Sequence, residues 1–112
     1  MSDCVLKNFN QLLVLQSNEL DISLKKSLSL LPYQCFNLEK LCRFGGYIDQ
    51  ESFSLNILTI DKHFETFEVK LGLFFNEIIG GCNCSEEPFT EVNYLEAYYQ
   101  INATGIYFLR ES

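Results

Sequence analysis

Between Thr66 and Asn76 the chain alternates without a break. Phe67, Val69, Leu71, Leu73 and Phe75 fall on odd positions, with Thr66, Glu68, Lys70, Gly72, Phe74 and Asn76 between them. Successive side chains of a strand point to opposite faces, so a period of two defines a strand with one apolar and one mixed face. Such a strand belongs to an antiparallel sheet that sets one face on a core and leaves the other wet.

The segments around it follow from local signals. Leu6, Phe9 and Leu13 recur at helical spacing after Ser2, which predicts a helix over 3–16. Ser17 and Asn18 interrupt it, and Asp21 is placed to cap a second helix whose Leu24, Leu28 and Leu31 form a stripe ended by Pro32. Residues 33–43 fit a helix or a strand, with the balance towards helix or turn. Gly45-Gly46 marks a backbone irregularity where a positive φ is needed. Tyr47-Ile48 and Phe53–Ile60 then read as antiparallel neighbours joined through Asp49-Gln50-Glu51-Ser52, with a second turn at Asp61-Lys62. Past an irregular loop from Gly80 to Pro88, Val92–Ile101 and Ile106–Leu109 form a last hairpin across Asn102–Gly105. The prediction is an α+β domain over 1–112: two N-terminal helices on one face of a four- to five-stranded antiparallel meander. With 112 residues, 47% of them apolar, one core is feasible and a second domain has no room.

Charge bounds the partners. Residues 1–62 carry six Lys/Arg against seven Asp/Glu, a net of −1, whereas residues 63–112 carry two against eight, a net of −6. An acidic surface repels phosphate backbones and anionic lipid, so direct nucleic-acid and membrane binding are disfavoured; it could attract a basic partner, and the alternative is that the carboxylates serve solubility alone. The longest apolar-rich stretch, Leu71–Ile79, is broken by Gly72, Asn76 and Glu77 and is too short to span a bilayer. Charged residues through the first thirty positions leave no leader-like apolar run, so the expected compartment is the cytoplasm. There Cys4, Cys35, Cys42, Cys82 and Cys84 would be free thiols or ligands, in keeping with their odd number.

Two sets of residues are candidates for function. Tyr94, Tyr98, Tyr99 and Tyr107 crowd the last strands, and beside Glu68 and Glu96 they would make an amphipathic sheet face suited to binding another protein, basic by its charge, or a second copy of the chain. Cross-strand tyrosine pairs that only stabilise the sheet are the alternative. The second set is the string Gly80-Gly81-Cys82-Asn83-Cys84-Ser85-Glu86-Glu87-Pro88, where Cys82 and Cys84, with Glu86, Glu87 or His63, could hold a transition metal such as zinc or act as a redox pair. Cys-x-Cys is a weak signal, one histidine does not complete a structural zinc site, and a structural tight turn with small buried cysteines is the alternative. No Walker loop, nucleophile elbow or dinucleotide fingerprint occurs, and no cofactor is implied by the leading reading. The expectation is a non-enzymatic interaction module, with the thiol or metal site as its alternative.

Overall fold

A computed structural model describes residues 4–42, 45–80 and 89–112. The amino-terminal part is helical in short pieces: α1 (Phe9–Leu12), α2 (Ser17–Ser29), a 3-10 turn (Tyr33–Phe36) and α3 (Leu38–Leu41). Four strands follow, β1 (Tyr47–His63), β2 (Thr66–Ile79), β3 (Phe89–Asn102) and β4 (Gly105–Glu111), each antiparallel to the next in the order β1-β2-β3-β4. The class is α+β with an antiparallel meander, as the alternation predicts. Among the described residues no helix is long and apolar enough to cross a membrane.

The odd-numbered face of β2 forms the centre of the core. Phe67, Val69, Leu71, Leu73 and Phe75 are buried, and in register with them on β3 stand Ile101, Tyr99, Ala97, Leu95 and Asn93. Side chains of the amino-terminal segment meet this face: the Phe9 ring stands edge-on to Phe67 at 5.6 Å, and Phe36 does the same to Tyr99 at 5.7 Å. Leu20, Leu24 and Leu28 give α2 its buried stripe.

Several local expectations are corrected. The helix predicted over 3–16 is confined to Phe9–Leu12, and the next begins at Ser17, so Ser17 and Asn18 start α2 instead of separating two helices and Asp21 lies inside it. Gln16 occupies the N-cap, which lets the apolar stripe begin a turn earlier, at Leu20. Residues 33–41 take the helical reading, with Asn37 in the left-handed region between the 3-10 turn and α3.

The polar stretch Asp49–Ser52 is not a hairpin turn but a bulge inside β1. Asp49 pairs with Asn76 and Ser54 with Phe74, so the intervening residues of β1 face a single position of β2. Ser52 holds the bulge: its hydroxyl donates to the Asp49 carbonyl (2.6 Å) and accepts the Asn76 N–H (2.7 Å). The extra residues turn Phe53 towards Phe36, their rings 5.3 Å apart. β1 also runs through Asp61 and Lys62, and the turn falls at Phe64-Glu65, where Phe64 adopts φ +51°. Gly45 takes the positive φ expected in the Gly45-Gly46 pair (+72°), and Gly105, in the last turn, has φ +148°.

The free-thiol expectation fails for two of the five cysteines. Cys4 and Cys35 form a disulfide with their Cα atoms 5.4 Å apart, while Cys42 is a free thiol. Five cysteines leave room for as many as two bridges, and this pairing arises only when the chain folds the 3-10 turn back against its amino-terminal segment. Burial, with Glu77 and Glu39 adding to it, pushes the Cys42 thiol up.

Candidate functional site

The even-numbered face of the sheet carries the candidate surface. On β2 it presents Glu68, Lys70, Gly72, Phe74 and Asn76, and on β3 Thr90, Val92, Tyr94, Glu96 and Tyr98. Phe74 and Tyr94 are register partners whose ring centroids lie 4.5 Å apart, and both remain partly exposed, at 38% and 45%. Gly72 makes this possible. A Cβ there would meet the Tyr94 hydroxyl at 2.9 Å and its ring at 3.1 Å, so the hydroxyl end of the tyrosine occupies the space a side chain would fill. Val92, 74% exposed, extends the apolar surface along β3.

A polar cluster borders these rings. The Tyr94 hydroxyl donates to Glu96 (2.7 Å), whose other oxygen takes an ion pair from Lys70 (3.2 Å). Those two partners hold the Glu96 carboxyl below the usual carboxylate range, the Tyr94 hydrogen bond contributing most. The same contacts raise the Tyr94 phenol and the Lys70 ammonium. Arg110 lies over the Tyr98 ring at 4.0 Å, with Lys70 at 5.6 Å, and reaches Glu68 at 3.8 Å. A tyrosine touched by two cations is held by cation–π attraction as well as by packing.

Of the residues the sequence singles out, Tyr94, Glu96, Tyr98 and Glu68 are brought together on this face. Tyr107 stands on it too, opposite Gln100, with its hydroxyl 2.7 Å from the Thr104 hydroxyl. Tyr99 is a correction. It is buried on the odd-numbered face, donates its hydroxyl to the Phe36 carbonyl, and stands edge-on to Phe108. Burial pushes its phenol well above the ordinary range. Position parity assigns it there, since Leu95, Ala97 and Ile101 share its side of β3. Phe74, Val92, Lys70 and Arg110 belong to the surface but lie outside the set singled out. Phe74 is the lone aromatic on the polar side of β2, a signal visible in the alternation itself.

Cys82, Cys84, Glu86 and Glu87 lie outside the described residues. His63 is exposed at the opposite end of the sheet from Ile79 and Phe89, the strand ends that flank that string. It pairs with Thr66, from which β2 runs to Ile79, a span of about 43 Å at strand rise. Among the described residues no group of three or more His, Cys, Asp or Glu could hold a metal ion.

One polar cluster has no counterpart in the sequence reading. Glu77 is fully buried on the odd-numbered face; its carboxylate accepts the Gly46 N–H (2.6 Å) and the Asn93 amide (3.0 Å). A Cβ at Gly46 would fall 2.4 Å from the Ile78 carbonyl oxygen, so the backbone reaches the carboxylate only because the residue is glycine. Buried carboxylates persist where hydrogen bonds replace their water, and this one ties the entry of β1 to β2 and β3.

Compared with known proteins, the chain matches no family model, no curated protein and no solved structure.

Proposed function

We propose that the chain is a non-enzymatic protein-interaction module that takes a basic partner protein on the even-numbered face of its sheet. The observation that carries this reading is the exposed Phe74–Tyr94 ring pair, continued by Val92 and bordered by Lys70, Glu96 and Tyr98. Part-exposed aromatics with a charged rim are the composition that interfaces favour over ordinary surface. The helices at the amino terminus then serve as a layer on the odd-numbered face, and the even-numbered one is left for display.

Charge supports a basic partner over a second copy. Residues 63–112 carry a net of −6, and Glu91 and Glu96 have no lysine or arginine on their own strand. Two copies would also bring −7 against −7. The Cys4–Cys35 bridge favours an oxidising compartment over the cytosol that free cysteines would fit.

Panning a displayed random-peptide library against the chain tests the reading. Selected peptides are expected to combine Lys or Arg with aromatic or branched residues, to weaken with salt, and to lose binding to a Phe74→Ser/Tyr94→Ser variant while retaining it for Val14→Ser. Selection of peptides without basic residues, or indifference to the double variant, would overturn it.

A further inference from the structure

β4 covers only part of β3. It has 7 residues against the 14 of β3, and its pairing runs from Asn102 to Ala97, after which the Ser112 N–H still bonds the Glu96 carbonyl at 2.8 Å. From Phe89 to Leu95 no described strand pairs with the second side of β3.

The direction of the backbone groups on this half-edge follows from two hydrogen bonds. The Glu96 carbonyl points towards β4, away from β2. The Asn76 N–H points towards β1, where Ser52 accepts it, so the odd residues of β2 turn their backbone groups towards β3. In an antiparallel ladder the N–H and C=O of one residue point the same way and alternate residues bond alternate neighbours. The odd residues of β3 therefore bond β2, while Thr90, Val92 and Tyr94 direct their N–H and C=O groups to the open side.

Natural sheets blunt such an edge with lysine, proline or a bulge. Phe89-Thr90-Glu91-Val92-Asn93-Tyr94-Leu95 contains none of the first two, its pairing with β2 is without a register shift, and its residues are mostly aromatic, branched or otherwise strand-forming. Thr90 and Val92 are both exposed. The edge retains the form of a strand that accepts another.

We propose that a basic, extended segment of the partner adds to this half-edge as a strand collinear with β4, bonding the backbone of Thr90, Val92 and Tyr94. The inference rests on the basic-partner reading and supplies its mode: main-chain hydrogen bonds give affinity and alternate side chains give selectivity. Apolar side chains of the added strand would lie beside Val92 and Tyr94 on the even-numbered face. Basic ones would fall on the other side, next to Glu91. Charge complementarity selects this occupant over a second copy, whose β3 would set Glu91 diagonal to its own counterpart.

The probe is a short, end-blocked peptide of alternating lysine and valine, titrated into the isotope-labelled 112-residue chain and followed by amide shifts and hydrogen exchange. Slowed exchange at Thr90, Val92 and Tyr94 is expected, and Val92→Pro, which removes one edge donor and leaves the β2–β3 ladder intact, should weaken binding by about tenfold or more. The same peptide N-methylated at every second amide must also fail, which tests the mode on the unaltered protein. Equal binding of the methylated peptide, or of Val92→Pro with an unchanged unfolding midpoint, overturns strand addition while leaving the aromatic-face reading in place. An equally tight glutamate-for-lysine peptide, or self-association abolished by Val92→Pro, would overturn the basic occupant.

Discussion

Glu77 is the residue whose chemistry is least negotiable. It stands where the odd-numbered pattern calls for an apolar side chain, and its burial is tolerable because Gly46 and Asn93 both donate to it. Glu77→Ala removes the acceptor and leaves those donors without their carboxylate, a loss expected to cost about 2–4 kcal/mol. Glu77→Gln keeps one carbonyl acceptor and should cost less. Gly46→Ala should be destabilising by about 1–3 kcal/mol, since its Cβ must displace the Ile78 carbonyl. Urea unfolding of the three variants checks this order, and a Gln variant as unstable as the Ala variant would contradict the hydrogen-bond account.

Elements differ in how plainly the sequence declares them. β2 is legible because both its faces are specified locally: five apolar side chains one way and a mixed, mostly polar set the other leave a single register. The bulge in β1 is not. Asp49–Ser52 has the composition of a turn, and what makes it a bulge is the Asn76 N–H, distant in sequence, taking the Ser52 hydroxyl as its acceptor. The disulfide is hidden for the same reason. Of the candidate face, Tyr94, Tyr98, Glu96 and Glu68 were readable from strand composition, whereas Tyr99 needed the parity of β3, which becomes usable only once its register is known.

The polar cluster on β2 and β3 also gives the sheet a modest, solvent-screened dependence on pH. Glu96 has its carboxyl lowered by Tyr94 and Lys70, so its folded value lies below the ordinary 4.5. Stabilisation from this group is therefore complete above that ordinary value and fades as pH falls through the lowered one. Midpoints of wild type and Glu96→Gln, compared from neutral pH downwards, should converge in acid. A gap that stays constant with pH would mean that the Glu96 charge contributes nothing.

At the scale of the whole molecule, the sheet is long and the amino-terminal helices are short, with extents of 56 × 28 × 21 Å. A shape this elongated at this size buries less surface than a compact one, so constraints on the unfolded chain count for more. The Cys4–Cys35 bridge, with a sequence separation of 31, encloses α1 and α2, and its ends lie near the residues that place Phe9 and Phe36 against the sheet. Loop closure of this length is expected to supply about 3–4 kcal/mol by restricting the unfolded ensemble. Reduction with a phosphine at neutral pH, or the Cys4→Ser/Cys35→Ser variant, should lower the urea midpoint accordingly, and the two should agree because both remove the same cross-link. Identical midpoints for oxidised and reduced protein would remove the argument for an oxidising compartment. They would leave the aromatic face untouched, since Phe74, Tyr94 and Val92 lie on the opposite side of the sheet from the residues that Phe9 and Phe36 contact.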